Sequence, residues 1–151
     1  MLALLAAAAL ALPAVLLSAP LREARGEPTP ISYAAAERNW RVIDGDTFED
    51  LSTGERIRLE NIDTPETGPR ARCVAERQLG NRATAAARSL IVNASELEVR
   101  RTGRTDRYNR TIAFIAIDGR DLGEQMIAEG LARPWRGRRE AWCDANGNLI
   151  P

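Results

Sequence analysis

The chain has 151 residues, with 21 basic and 21 acidic side chains and a formal net charge of zero. That length suits one domain, and the charge balance excludes a global field that would draw in a polyanion. The sequence has no histidine, which excludes the usual general base and the commonest transition-metal ligand. The two cysteines, Cys73 and Cys143, are too far apart for a C-x-x-C metal or redox motif.

Residues 1–20 carry no charge and consist mostly of Leu and Ala, ending in Leu17-Ser18-Ala19-Pro20. Small residues after an apolar run are the pattern of a secretory signal. The first positive charges, Arg22 and Arg25, follow the run instead of preceding it, so either the true start lies upstream or the run is an uncleaved N-terminal anchor. The run is marginal in length for crossing a bilayer. We therefore expect export, with a secreted or periplasmic location, and membrane contact only through residues 1–20. In an exported chain Cys73 and Cys143 would naturally form a disulfide, worth about 4 kcal/mol in the chain-entropy model. In a cytoplasmic one they would be separate buried thiols. Residues 21–38, with Pro28 and Pro30, read as a linker, 39–143 as the folded domain, and 144–151 as a tail.

Within the domain, Arg41-Val42-Ile43 reads as a short strand and Asp44-Gly45 as a tight-turn signal. Thr47 to Leu51 form the next strand, with Asp46 at its first position. In Glu55 to Leu59, Ile57 and Leu59 alternate with Arg56 and Arg58, the period of a third strand. From Ala75 to Val92 the period becomes helical, with Leu79, Ala83, Ala86, Ala87, Leu90 and Ile91 on one stripe. Gly80 weakens that helix slightly. Leu97 to Arg100 and Thr111 to Ile117 are strands, the second apolar enough to be central. Asp121 with Glu124 resembles a capping box opening a second helix, whose buried face is Leu122, Met126, Ile127 and Leu131. This order predicts an α+β, mainly β fold: a five-stranded barrel of the OB type with two helices.

Polar chemistry concentrates in Arg58-Leu59-Glu60-Asn61-Ile62-Asp63-Thr64-Pro65-Glu66-Thr67. Pro65 fixes its own φ and keeps Thr64 out of the helical region, so Asp63 and Glu66 sit on a short rigid arc. The second and third strands should pair antiparallel, which brings Asp46 beside Asp63. Two adjacent carboxylates repel unless a cation lies between them. The available ligands are oxygens, including a backbone carbonyl at Thr64, so a hard cation such as Ca²⁺ is expected. Every basic residue is Arg; Arg100, Arg101, Arg104, Arg107 and Arg110 cluster before the fifth strand, and Arg133, Arg136, Arg138 and Arg139 near the end. Guanidinium forks beside a cation suit a phosphate.

Three pieces in order carry a resemblance: Ile43-Asp44-Gly45-Asp46-Thr47, Arg58 with Asp63-Thr64-Pro65-Glu66-Thr67, and Arg104-Thr105-Asp106-Arg107-Tyr108-Asn109-Arg110. With Gly130-Leu131-Ala132 after the last helix, residues 39–133 resemble the staphylococcal (micrococcal) nuclease, or thermonuclease, family. The resemblance implies that Asp46 and Asp63 hold Ca²⁺ with the Thr64 carbonyl. It implies that Glu66 receives a proton from the attacking water or orients it, and that Arg58 and Arg110 grip the scissile phosphate. Arg107 and Tyr108 would contact the nucleotide, and DNA or RNA would be cut to 3′-phosphate ends. The chain departs from the family at Asn109, where Gly is usual, and at Arg107, where Lys is usual. It has no match to the second substrate-stacking tyrosine and ends too soon for the family's third helix; a Cys73–Cys143 link would pin the C-terminal segment instead. We thus expect a monomeric Ca²⁺-dependent endonuclease acting on nucleic acid, without a stable protein partner. The alternative is an inactive OB-fold module that binds nucleic acid, and a third reading is an envelope protein with a structural calcium.

Overall fold

The computed structural model describes residues 31–32 and 39–150. The expected signal or anchor over residues 1–20 and most of the linker lie outside these. Among the described residues no helix is long and apolar enough to cross a membrane.

The hairpin signals produce a meander. Strands β2 (Trp40–Asp44), β3 (Thr47–Asp50) and β4 (Glu55–Leu59) pair antiparallel, with Val42 opposite Phe48 and Phe48 opposite Ile57. These three side chains are buried on one face. A register shift between Val42 and Asp44 marks a bulge, which sharpens the local twist. Asp46 lies in the turn itself, not at the first strand position as expected, because Thr47 is the first residue that pairs. Strand β4 leads through Asn61, at φ 62°, into the two-residue strand β5 (Ile62–Asp63).

Helix α1 (Val74–Val92) follows a 3₁₀ turn at Gly68–Arg70 and buries Leu79, Ala83, Ala87 and Ile91 along the expected stripe. Strand β6 (Glu96–Thr105) outruns its expected end at Arg100. Its partner β7 (Thr111–Ile117) supports it, pairing Arg101 with Ala113 and Thr105 with Thr111. Strand β7 is central, antiparallel to β6 and parallel to β4. A short β8 (Arg120–Asp121) precedes α2 (Leu122–Ala128), where the Asp121 carboxylate accepts the Glu124 N–H at 2.9 Å, as the capping pattern implied.

The main sheet has the order β1-β6-β7-β4-β3-β2, with β1 at Ile31–Ser32. Ile31 and Ser32 fall within the stretch read as linker, yet they pair with Leu97 and Glu96. The parallel β4–β7 pair between antiparallel neighbours is the OB-type arrangement expected, and both helices are present. Among the described residues no backbone pairing joins β2 to β6, so the curl is not closed by hydrogen bonds. Phe48, Ile57, Ile115, Leu122 and Met126 are fully buried in the core. Each contributes about 1.5–3 kcal/mol of burial.

A second sheet joins the halves of the chain: β5 pairs with β9 (Arg133–Pro134), placing Asp63 opposite Arg133. Beyond it the segment returns to α1, where Cys143 is bonded to Cys73, the N-cap residue of that helix. Residues 144–150, read as a tail, fold back, with the Ile150 N–H donating to the Trp142 carbonyl at 3.0 Å and Cys143 bridging Leu149.

Gly80 has a role that helix propensity hides. A Cβ there would stand 2.6 Å from the Glu66 carbonyl oxygen and 2.7 Å from that of Pro65. The missing side chain is the groove that lets the 65–66 backbone lie against α1. Propensity alone would make Gly80→Ala stabilising by about 1 kcal/mol. The backbone clash reverses that sign, so Gly80→Ala is expected to lower the thermal midpoint and displace Glu66. A raised midpoint in calorimetry would contradict the close approach.

Candidate active site

One cleft of about 780 Å³ runs across the open end of the meander. Its walls include Asp46, Arg58, Asp63, Thr64, Glu66, Arg107, Tyr108 and Arg110, every site residue expected from the sequence except the cysteines.

The turn after β2 supplies Asp46, which is 6% exposed, and the end of β5 supplies Asp63 at 7% and Thr64 at 3%. The Leu59 N–H donates to the Asp46 carbonyl at 2.9 Å, fixing the turn against the end of β4. The Asp46 carboxylate accepts the Thr64 N–H at 3.0 Å and the Thr64 hydroxyl at 2.9 Å, tying the two acidic segments together. Gly45 permits this, since a Cβ there would meet Thr64 Cγ2 and Ala83 Cβ at 3.0 Å. Arg58 comes from β4, its side chain 16% exposed, and one guanidinium nitrogen lies 3.2 Å from Asp46 and 4.0 Å from Asp63. The guanidinium also donates to the carbonyls of Leu59 at 2.7 Å and Ile62 at 2.8 Å, which fixes its fork.

Arg110 follows the Asp106–Asn109 turn, where Asn109 adopts φ 57°, so the Asn in place of Gly keeps the left-handed turn. Its Nε donates to Asp106 at 2.7 Å and Nη1 to the Thr47 hydroxyl at 3.0 Å, which in turn donates to Asp46 at 3.1 Å. Arg110 therefore reaches the acidic pair through one hydroxyl. Tyr108 is 62% exposed, with the Arg107 guanidinium 4.8 Å and that of Arg110 5.4 Å from its ring centre. Glu66 lies between two arginines, Arg70 at 3.1 Å and Arg139. Its backbone N–H donates to the buried Glu76 carboxylate at 3.2 Å, which anchors the arc to α1.

Burial pushes the Asp63 carboxyl above its ordinary range; Arg139 and Arg58 oppose that shift and Asp46 adds to it. Burial, followed by the neighbouring Asp46 charge, raises Asp44 to about 6. The donor set is oxygen throughout: two carboxylates joined by Arg58 and the Thr64 backbone. Among the described residues no three His, Cys, Asp or Glu side chains form a metal cage. Two carboxylates and a carbonyl with room for water suit a hard cation, not a zinc-type ion.

Three contributors went unseen in the sequence. Trp142 donates its indole N–H to Asp63 at 3.2 Å. Arg139 donates to the Thr64 carbonyl at 2.8 Å and lies 3.4 Å from Asp63. Arg70 grips the other side of Glu66. The C-terminal arginine cluster was visible, but nothing in it distinguishes Arg139 from Arg138.

The model of the family described as staphylococcal nuclease homologue matches residues 56–146. The chain belongs to that family. The match begins after the β2–β3 hairpin and so does not include Asp46. The chain is 34% identical over 96 residues to endonuclease YncB of Bacillus subtilis (strain 168), covering 62% of this chain and 44% of the relative. It is equally similar over 96 residues to the SPbeta prophage-derived endonuclease YokF of the same organism, covering 32% of that protein. The chain spans less than half the length of either relative.

Proposed function

We propose that this protein is a Ca²⁺-dependent nuclease that hydrolyses DNA or RNA phosphodiesters to 3′-phosphate ends, acting as an exported monomer. One observation carries the reading: a single Arg58 nitrogen lies within 4.0 Å of two buried carboxylates, Asp46 and Asp63, in the cleft that holds Glu66 and Arg110. Asp46, Asp63 and the Thr64 carbonyl would hold the ion, which when bound supplies positive charge against the phosphate oxygens.

The chain's own groups account for the rest. Attack on a phosphodiester builds negative charge on the equatorial oxygens, and the Arg58 and Arg110 forks are fixed in advance to meet it. A guanidinium binds two phosphate oxygens at once, which an ammonium cannot reproduce. Glu66 accepts a proton from the attacking water or orients it, held in place by the Gly80 groove and the Glu76 anchor. Exposed Tyr108 offers a face for a base or sugar, and Arg107 beside it a further phosphate contact.

The purified protein with single-stranded DNA is expected to cleave in Ca²⁺, stop when chelator is added, and yield 3′-phosphate ends. Cleavage that persists in chelator would remove the metal from the proposal. Retarded DNA with no cleavage under any divalent cation would point to the binding module instead.

A further inference from the structure

We propose that Arg139 sets the cation affinity of this site by competing with the ion for the Thr64 carbonyl and the Asp63 carboxylate. The inference rests on the reading that Asp46, Asp63 and the Thr64 carbonyl hold the ion. Arg139 Nη2 donates to that carbonyl at 2.8 Å and stands 3.4 Å from Asp63 Oδ1, while Nη1 reaches Glu66. One guanidinium thus spans two expected ligand groups and the carboxylate beside them. A divalent ion on the same oxygens would sit within a few ångströms of a like charge, in a site largely screened from water, where repulsion is strong.

Two arginines face the acidic pair, and their anchorage differs. Arg58 is rooted in β4, donates to two backbone carbonyls and is 16% exposed. The Arg139 side chain is 39% exposed and comes from the irregular strap between β9 and Cys143. Moving Arg58 would break its hydrogen bonds to two backbone carbonyls that are not cation ligands, whereas Arg139 can turn toward solvent within the cleft it lines. The ion therefore displaces Arg139, and the energy of its contacts is subtracted from binding. Arg139 is a positioning residue: it acts on the site through ligands it occupies.

Calorimetric titration with Ca²⁺ alone, on the full protein, tests this. Arg139→Ala is expected to bind Ca²⁺ about ten-fold more tightly than wild type. Arg139→Gln, which removes the charge but keeps a side-chain donor, should also tighten binding, and it guards against misfolding of the first variant. Arg138→Ala removes the same charge one residue away and is expected to stay within about two-fold of wild type. Unchanged or weaker binding in both Arg139 variants would overturn the proposal. So would equal tightening in Arg138→Ala, which would make the effect a diffuse field. Asp63→Asn separates the underlying reading: if it binds as wild type does, or if no variant binds at all, the cation site itself is misassigned.

Discussion

Arg58→Ala is expected to lower nucleic-acid cleavage by about 10²–10³-fold, the usual cost of removing one donor prepared for a transition-state charge. The loss should appear in single-turnover rate more than in substrate binding, because Arg110 and the exposed Arg107 still attract the phosphate chain. The same substitution has a second effect. Arg58 lies within 4.0 Å of both buried carboxylates, so its removal leaves Asp46 and Asp63 short of positive charge. Breaking such a pair on one side costs about 3 kcal/mol. Added Ca²⁺ should recover part of that stability while leaving activity low. Denaturant unfolding with and without Ca²⁺, beside the cleavage rate, separates the two effects. Wild-type rates in the variant would strike Arg58 from the machinery.

Glu66→Gln is the complementary case, since it preserves shape while removing the negative charge and with it the capacity to take a proton. Turnover is expected to fall by about 10²–10⁴-fold, the range for a positioned acid–base group. Stability should change by about 1 kcal/mol or less, because the ion pairs lost, with Arg70 and Arg139, are partly exposed on the arginine side. A melting curve and a rate from the same preparation decide the matter. Near-normal turnover would leave Glu66 as a clamp for the two arginines with no proton to carry.

Much of this site was legible because it is local. Asp63, Thr64, Pro65 and Glu66 lie on one stiff arc whose geometry is set by proline, and Asp46 is marked by a tight turn. Alternation in Glu55–Leu59 placed Arg58 on the face away from the core. Elements too short to show a period could not be read. Ile31–Ser32, Ile62–Asp63 and Arg133–Pro134 are two-residue strands defined only by their partners. Gly80 was read on the helix alone, as a weak point, and Glu76 carried no signal there. Both take their meaning from the loop above them: Glu76 accepts its N–H groups at Glu66 and Arg72, and Gly80 leaves room for its backbone. Trp142 and Arg139 reach residues 79 and 75 positions away, a distance at which spacing carries no signal.

That remoteness governs the order in which the molecule can be completed. Most of the acidic pocket comes from the first half of the folded chain and can form once β7 docks beside β4. The disulfide spans 70 residues, and the two hydrogen bonds from the last segment span more. Contacts of such separation close late, because the loop entropy must be overcome first. During synthesis, Arg139 and Trp142 emerge after every other contributor, so a nascent chain holds an unfinished pocket until residues 139–142 are free. The same geometry makes the strap after β9 a point of vulnerability: a single protease cut between residues 135 and 138 would leave Arg139 and Trp142 held only by the Cys73–Cys143 bond and by non-covalent contacts such as those of Arg133 with the Ala141 carbonyl and the Trp142 ring.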